Sequence, residues 1–259
     1  MADALLGAVA DIAREAGALA MRRAASGFKS WEKSPGNPVC EVDLEVDALL
    51  RARLSALDPG AAWLSEETGD DRARLERSRV WVVDPIDGTR DYVRGRAGWA
   101  VSIALVEAGA VVLGVLDAPA RGERWAAARG GGATRNAERI GASQRVAFAG
   151  SRVPADTLPK VDRDLVAVAK PNGIALRIAM VAADEADLVA TLRWGNEWDI
   201  AAAALIAQEA GATVTDAFGA PIAFNTPRAQ AFGVIASAPG IHGAAVERLS
   251  ERAREIVAK

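Results

Sequence analysis

Apolar residues recur along the start of the chain with the spacing of helices. In residues 4–23 they follow one another three or four positions apart with charges between them, and the same spacing returns in residues 43–57. The second pattern stops before Asp58-Pro59-Gly60, and no regular element is expected to cross Ser34-Pro35-Gly36-Asn37-Pro38. We therefore predict two amphipathic helices with an irregular break between them.

Short apolar runs rich in β-branched residues predict buried strands farther along. Val80–Val83 is such a run, and it leads directly into Asp84-Pro85, as a strand does where it gives way to a loop. Residues 99–106 and 111–116 are expected to form two strands joined by a tight turn. Later segments alternate in the same way: the predicted strands are 146–148, 165–169, 188–191, 213–215 and 232–236, and the predicted helices are 174–183, 199–210 and a polar amphipathic helix that closes the chain.

The alternation of strands and helices predicts a layered α/β protein whose two halves meet near residue 140. We expect residues 1–140 and 141–259 to form one compact unit, with the functional site between the halves. Gly130-Gly131-Gly132 is expected to be a loop, because it lacks the spacing of a nucleotide-binding glycine motif.

Composition excludes several classes of partner. The chain has 259 residues, with 31 Lys and Arg against 34 Asp and Glu, so its net charge of −3 leaves no broad basic surface for nucleic acid. The longest apolar run, Ile200–Ala207, is far shorter than the roughly 18 residues that span a bilayer. Asp3 and Asp11 occupy the place of the basic region of a secretory signal. We therefore expect a cytoplasmic protein with neither a nucleic-acid nor a membrane partner.

The chain contains one cysteine, Cys40, and one histidine, His242. A single cysteine excludes an internal disulfide and a cysteine-based zinc or iron–sulfur site. His242 is expected at the surface of a helix, and a Ser-His-Asp or Cys-His mechanism would depend on that one imidazole. If the protein is an enzyme, carboxylates and metal ions are expected to carry its chemistry.

The segment Asp84-Pro85-Ile86-Asp87-Gly88-Thr89 is the most informative one. Two carboxylates three residues apart would repel each other unless a hard cation lies between them, and carboxylate oxygens suit Mg²⁺. If the amides of Gly88 and Thr89 open a helix, they would face an anion such as phosphate. The alternative is a plain turn, because every residue of the segment favours turns.

Two further acidic sites strengthen the metal hypothesis. Glu66-Glu67 follows a short apolar segment, and Asp199 begins the most apolar predicted helix. A solvated acidic corner would explain the glutamates, and an N-cap would explain the aspartate. A carboxylate beside an apolar helix is costly to bury without a partner. Three such sites in one chain favour a shared role.

Three motifs resemble the metal-binding motifs of the inositol monophosphatase family. They are Glu66-Glu67, the segment from Asp84 to Thr89, and Trp198-Asp199-Ile200-Ala201-Ala202 followed by Glu209-Ala210-Gly211. The resemblance is collinear and spans essentially the whole chain. It implies a layered αβαβα sandwich of the inositol monophosphatase and fructose-1,6-bisphosphatase type, and Mg²⁺-dependent hydrolysis of a small phosphate monoester by a metal-activated water. Members of this family are commonly homodimers.

The resemblance also implies a role for individual residues. A first Mg²⁺ is expected at Glu66, Asp84 and the carbonyl of Ile86, and a second at Asp84, Asp87 and Asp199; a third ion at Glu66 is common in the family. Glu66 and Thr89 would position the attacking water, and the Thr89 hydroxyl would pass its proton toward Asp43, with Lys33 nearby. Substrate contacts are expected at Asp87, Gly88, Thr89 and Asp199.

Departures from the family pattern leave the substrate open. Leu192 stands about where inositol monophosphatases carry an acidic residue that contacts the inositol hydroxyls. Cys40 replaces a frequent threonine, and Asn172-Gly173 replaces the usual Gly-Ser or Gly-Thr. The stretches Trp31-Glu32-Lys33 and Asn196-Glu197-Trp198-Asp199 resemble bacterial bisphosphate nucleotidases.

Inositol phosphate and 3′-phosphoadenosine 5′-phosphate therefore compete as substrates. Arg177 and Arg193 are candidates to bind a second phosphate, and a solvated surface role is the alternative for each. A catalytically silent family member that acts as a regulatory binding protein is a third possibility. Silent relatives are expected to lose a metal-ligating carboxylate, whereas this chain keeps all four.

Overall fold

The structure is a computed structural model that describes residues 2–34 and 36–258. Met1, Pro35 and Lys259, which our predicted segments include, lie outside the described residues. The helices are α1 Ala2–Ser26, α2 Glu41–Leu57, α3 Thr89–Val93, α4 Ile174–Ala182, α5 Glu197–Glu209 and α6 His242–Val257. The strands are β1 Ser30–Ser34, β2 Asn37–Cys40, β3 Ala62–Ser65, β4 Arg79–Asp87, β5 Ala100–Glu107, β6 Ala110–Ala118, β7 Glu123–Ala128, β8 Gly132–Arg135, β9 Glu138–Arg139, β10 Arg152–Pro154, β11 Val166–Val168, β12 Leu188–Asn196, β13 Thr213–Thr215 and β14 Gln230–Ser237.

A seven-stranded sheet forms the centre of the first half of the chain. Its strand order is β3-β4-β5-β6-β7-β8-β9; β3 runs parallel to β4 and all the other pairs are antiparallel. The apolar run Val80–Val83 lies in β4 as predicted, and its side chains are buried on both faces of the sheet. The strand continues farther than predicted, because Asp87 pairs with Ala100 after a bulge that begins at Asp84.

Helices cover both faces of this sheet. Helices α1 and α2 pack on one face, whereas α4 and α5 pack on the other. Helix α5 approaches β6 closely because both contribute small residues: a Cβ atom on Gly114 would lie 2.7 Å from the carbonyl oxygen of Ala202. The alanine-rich composition of α5 thus allows a helix to lie between two sheets.

A three-stranded antiparallel sheet, β12-β14-β13, forms the next layer. Successive residues of β14 face opposite sides: Val234 and Ala236 join the core with α4 and α5, whereas Ile235 joins the core with α6. The order helix, sheet, helix, sheet, helix confirms the predicted αβαβα sandwich. The large sheet ends at Arg139, and the division into halves near residue 140 stays a prediction.

Two predictions about local structure were wrong. Residues 146–148 do not form a strand, and Val146 is 80% exposed. The Arg145 guanidinium donates hydrogen bonds to the carbonyl oxygens of Ala147 and Ala149, which in a strand would accept from a neighbouring strand. The break around Ser34 and Gly36 is the turn of an antiparallel pair, β1 and β2. Every residue of β1 is exposed, so no alternation in the sequence marks it.

His242 is less exposed than predicted. It begins α6 and is half-buried, with Nδ1 2.8 Å from the Ser237 hydroxyl and Nε2 3.1 Å from the Thr215 hydroxyl. Burial lowers its pKa. Across residues 2–34 and 36–258, no helix combines the length and the apolar content that a membrane crossing requires.

Candidate active site

Carboxylates from three separate segments meet at one edge of the large sheet. Oxygens of Glu66, Asp84 and Asp199 all lie within 4.8 Å of one another. Glu66 directly follows β3, Asp84 lies in β4, and Asp199 lies in the first turn of α5. Because β3 and β4 are parallel, their carboxyl ends reach the same edge, and this brings two of the three motifs together.

Asp199 also contributes to the start of its own helix. Its Oδ2 accepts a hydrogen bond from the backbone amide of Asn196, the N-cap residue, at 3.3 Å. The capping role that the sequence allowed is therefore present, at the third helical position rather than at the N-cap. The same side chain still reaches the cluster, so the two interpretations of Asp199 are compatible.

Asp87 is directed toward the N-terminus of α4. Its two oxygens accept hydrogen bonds from the backbone amides of Ile174 at 3.2 Å and Ala175 at 2.8 Å. These amides would otherwise lack partners within the helix, and the helix dipole favours a negative charge there. Asp87 thus joins the bulge of β4 to the second half of the chain, while its charge still acts on Asp84 and Asp199.

Burial raises the pKa of each carboxyl in the cluster. Asp84 is 2% exposed, and desolvation followed by repulsion from Glu66, Asp87 and Asp199 raises its pKa well above the usual value. Desolvation is also the largest cause for Asp87, whose pKa rises to about 7, and for Asp199, whose pKa rises to about 8. A cation bound among these groups would favour their ionised forms and lower each pKa.

Metal-free protein should therefore lose stability as the pH rises from about 5 to about 8. The carboxyls of Asp87 and Asp199 have an ordinary pKa of 3.8 and folded values of about 7 and 8, so the folded state retains protons that the unfolded chain releases. Their stabilising contribution is complete below pH 4 and is lost as the pH passes through the folded values. Urea unfolding in EDTA at pH 5, 6.5 and 8 measures this loss.

Added Mg²⁺ should restore most of the stability that is lost at high pH. In EDTA, the free energy of unfolding of Asp199→Asn should depend less steeply on pH than that of the wild-type protein. That variant separates the cluster from His242, whose lowered pKa contributes with the opposite sign. A free energy of unfolding that stays constant from pH 5 to 8 in EDTA would contradict the prediction.

A second group of residues connects Thr89 to α2. The Thr89 hydroxyl lies 3.0 Å from Asp43 Oδ1 and 3.0 Å from the Ile86 carbonyl oxygen. Asp43 Oδ2 accepts hydrogen bonds from the amide and the thiol of Cys40, at 2.8 and 2.9 Å. Burial raises the pKa of the Cys40 thiol to about 12, so it remains a protonated donor. Cys40 is the N-cap residue of α2, and Asp43, at the third helical position, accepts its backbone amide as in a capping box.

Lys33 lies beside both glutamates of the first motif. Its Nζ is 2.6 Å from Glu67 and 3.5 Å from Glu66. The Glu67 side chain is only 4% exposed, whereas that of Lys33 is 32% exposed. The positive charge of Lys33 opposes the rise that burial causes in the pKa of Glu66.

A polar cavity of about 370 Å³ contains these groups in its wall. The acidic residues of the cluster, Gly88 and Thr89 line it together with three arginines, Arg90, Arg177 and Arg193. The Arg177 side chain donates to the carbonyls of Pro171 and Asn172, which fixes its direction. The cavity therefore presents carboxylates that suit a cation and guanidinium groups that suit an anion.

The structure brings five of the predicted site residues into the wall of one cavity: Glu66, Asp84, Asp87, Thr89 and Asp199. Lys33 contacts Glu66, and Asp43 contacts Thr89, so both lie next to this cavity. The backbone partners of Asp87 were missed, because they lie 87 and 88 residues farther along the chain. Asp47 was also missed, although it stands one helical turn after Asp43.

The donor set fits Mg²⁺. The cluster offers carboxylate oxygens, and hard divalent cations prefer oxygen ligands. Glu66, Asp84 and Asp199 are the residues that would hold it, and Asp87, whose two oxygens accept backbone amides, lies in the wall of the same cavity.

The chain is similar to known proteins over almost its whole length. Residues 2–258 match the inositol monophosphatase family. The fructose-1,6-bisphosphatase/inositol-1-monophosphatase of Thermotoga maritima is 33% identical over 231 residues, which cover 85% of this chain and 86% of the relative. The 3′-phosphoadenosine 5′-phosphate phosphatase of Mycobacterium leprae is 38% identical over 197 residues, 71% of each chain. A solved IMPase structure from Thermotoga maritima superposes with a TM-score of 0.82 at 29% identity and covers 96% of this chain and 97% of that one. The chain therefore belongs to the inositol monophosphatase family and is a phosphoric monoester hydrolase.

Proposed function

We propose that this protein hydrolyses a phosphate monoester of a small metabolite with Mg²⁺ held by the four carboxylates and the Ile86 carbonyl. The convergence of Glu66, Asp84 and Asp199 within 4.8 Å, in the wall of a polar cavity, carries the proposal. Bound Mg²⁺ would supply positive charge that lowers the pKa of a water molecule and stabilises the transferring phosphoryl group. The presence of all four carboxylates argues against a catalytically silent regulatory protein.

Thr89 and Asp43 are suited to accept the proton of the attacking water. The Thr89 hydroxyl can accept a hydrogen bond from that water while it donates its own proton to Asp43 Oδ1, 3.0 Å away. Burial raises the pKa of Asp43, and this makes its carboxylate a better proton acceptor than an exposed aspartate. Cys40 holds the other oxygen, so Oδ1 stays directed at Thr89.

A substrate with two phosphates is favoured over inositol monophosphate. Arg193 is exposed in the cavity and Arg177 is held there by its bonds to the 171–172 backbone, so both are available to a second anionic group. Leu192, expected where inositol monophosphatases carry an acidic substrate contact, lies outside the cavity and packs against apolar residues beside α6. The named activities of the two relatives include hydrolysis of bisphosphates as well as of inositol phosphate.

Phosphate release from a panel of substrates tests the proposal. The panel contains 3′-phosphoadenosine 5′-phosphate, fructose 1,6-bisphosphate, inositol 1-phosphate and histidinol phosphate, each with Mg²⁺ and with EDTA. Turnover that requires Mg²⁺ supports the reaction, and the order of kcat/KM identifies the substrate class. No turnover of any of them with Mg²⁺ would reject it. The homodimer and the cytoplasmic location stay predictions from the sequence.

Arg193→Gln should lower kcat/KM for the bisphosphate substrate about 10- to 100-fold, since a hydrogen bond to a charged group is worth about 1.5–3 kcal/mol. The same change should alter kcat/KM for inositol 1-phosphate by less than about threefold, because no second phosphate is present to lose its partner. Steady-state kinetics on both substrates measure the difference.

Arg14→Gln is the matched control for Arg193→Gln, because Arg14 is exposed on α1 and pairs with Asp11 outside the cavity. Equal losses on both substrates in Arg193→Gln would contradict a role in binding a second phosphate.

A further inference from the structure

Asp47 is a buried carboxylate with no part in the proposed chemistry. It lies in α2, one turn after Asp43, and is 8% exposed. Its Oδ1 accepts a hydrogen bond from the Ser65 hydroxyl at 2.5 Å, and its Oδ2 accepts one from the Thr68 hydroxyl at 2.7 Å. Both oxygens are thus directed at one loop.

The two hydroxyls lie on either side of Glu66 and Glu67. Ser65 is the last residue of β3, and its Oγ also lies 3.5 Å from the amide of Glu67. Thr68 Oγ1 lies 3.4 Å from the indole nitrogen of Trp63. Asp47 therefore closes a set of hydrogen bonds around the two glutamates.

The loop directs the neighbouring side chains of Glu66 and Glu67 to different partners. Glu67 is turned to Lys33 and is nearly buried, whereas Glu66 reaches Asp84 and Asp199. The backbone amide of Glu66 is held by the Val83 carbonyl at 3.3 Å. Without the hydrogen bonds to Ser65 and Thr68, this backbone bond and the ion pairs with Lys33 would be left to hold the loop against the repulsion among the carboxylates.

Helix α2 holds a second loop in the same way. Asp43 accepts a hydrogen bond from the Thr89 hydroxyl, just after the end of β4. Asp47 accepts a hydrogen bond from the Ser65 hydroxyl, at the end of β3. Residues four apart lie on the same face of a helix, so one rigid helix sets the distance between the two loops. The packing of α2 against β4 fixes that helix on the sheet.

We propose that Asp47 is a positioning residue that holds the Glu66 carboxylate in place relative to Asp84 and Asp199. The inference rests on the proposed function, in which Glu66 is a metal ligand. It also assigns α2 a role as the common support of the two loops that carry the site.

Calorimetric titration of the metal-free protein with MgCl₂ tests this inference, with no substrate present. Asp47→Ala and Thr68→Val should each weaken Mg²⁺ binding, about 10- to 100-fold for Asp47→Ala, the range found when a partner of a metal ligand is removed. The losses should not add in the double variant, because both changes break the same hydrogen bond. In turnover assays, the Mg²⁺ concentration for half-maximal rate should rise while KM for the substrate at saturating Mg²⁺ stays close to the wild-type value.

Asp162→Ala is the matched control. Asp162 is also 8% exposed, but its carboxylate pairs with Arg252 on α6, outside the cavity. This variant should lose stability and keep wild-type Mg²⁺ affinity, so it separates a general loss of stability from a change at the metal site.

The outcomes distinguish the two proposals. Wild-type Mg²⁺ affinity in both Asp47→Ala and Thr68→Val would overturn the role of Asp47 and leave the proposed function intact. If Asp47→Ala does not fold, Ser65→Ala takes its place, and wild-type affinity in Ser65→Ala and Thr68→Val would overturn the inference in the same way. If the wild-type protein neither binds Mg²⁺ nor releases phosphate, the proposed function fails and this inference fails with it.

Discussion

Asp84→Asn should abolish Mg²⁺-dependent phosphate release and at the same time stabilise the metal-free protein. The rate should fall by at least about a thousandfold, which corresponds to roughly 4 kcal/mol of transition-state stabilisation. The gain in stability arises because burial, and after it repulsion from Glu66, Asp87 and Asp199, makes ionisation of Asp84 unfavourable in the folded protein, and asparagine removes that cost. Single-turnover kinetics with Mg²⁺ and thermal unfolding in EDTA at pH 8 measure the two effects.

Asp87→Asn provides the comparison for this result. It should also abolish turnover, but it should raise stability less than Asp84→Asn does, because an amide side chain keeps only one of the two oxygen acceptors that bind the amides of Ile174 and Ala175. The two variants thus differ in the size of the change in Tm. An Asp84→Asn protein that keeps more than a few per cent of the wild-type rate would reject the metal scheme.

Among substitutions that add one methyl group near the site, Gly88→Ala should lower the free energy of unfolding the most. Gly88 has φ of +95°, and a Cβ atom there would lie 2.6 Å from the Gly98 carbonyl oxygen and 2.9 Å from the Gly173 amide nitrogen. The left-handed backbone costs about 1–2 kcal/mol for alanine, and overpacking adds roughly 1–3 kcal/mol. Chemical denaturation should therefore give a free energy of unfolding lower by roughly 2–5 kcal/mol.

Gly95→Ala isolates the contribution of the backbone. Gly95 has φ of +66°, but a Cβ atom there would have no neighbour within 4 Å. Its cost should be limited to about 1–2 kcal/mol. Equal losses in the two variants would mean that the close contact between residues 88, 98 and 173 contributes nothing beyond local strain.

The elements predicted correctly from the sequence are those that bury a face. Val80–Val83 and the helix after Asp199 lie in the core, so their apolar pattern reflects their surroundings. The pair β1 and β2 was missed because all side chains of β1 are exposed, and Val146 was misassigned because its apolar neighbours form an exposed loop held by Arg145. Periodicity detects burial, and it fails where backbone hydrogen bonds form without burial.

Some residues of the candidate site could likewise be predicted from the sequence, and others could not. Its carboxylates lie in motifs with recognisable spacing, so Glu66, Asp84, Asp87 and Asp199 could be named from the sequence. Their partners could not, because the amides that hold Asp87 and the hydroxyls that hold Asp47 become neighbours only through the packing of α4 and α2. A sequence states which groups are present, whereas their hydrogen bonds depend on the tertiary structure.

The placement of α4 and α5 on the large sheet has a consequence for biosynthesis. All seven strands of that sheet precede residue 140, but the helices that cover one of its faces end at residues 182 and 209. On the ribosome, this apolar face stays uncovered until most of the chain has emerged. The nascent polypeptide therefore passes through an aggregation-prone stage, and the group of Glu66, Asp84 and Asp199 is complete only after Asp199 leaves the exit tunnel.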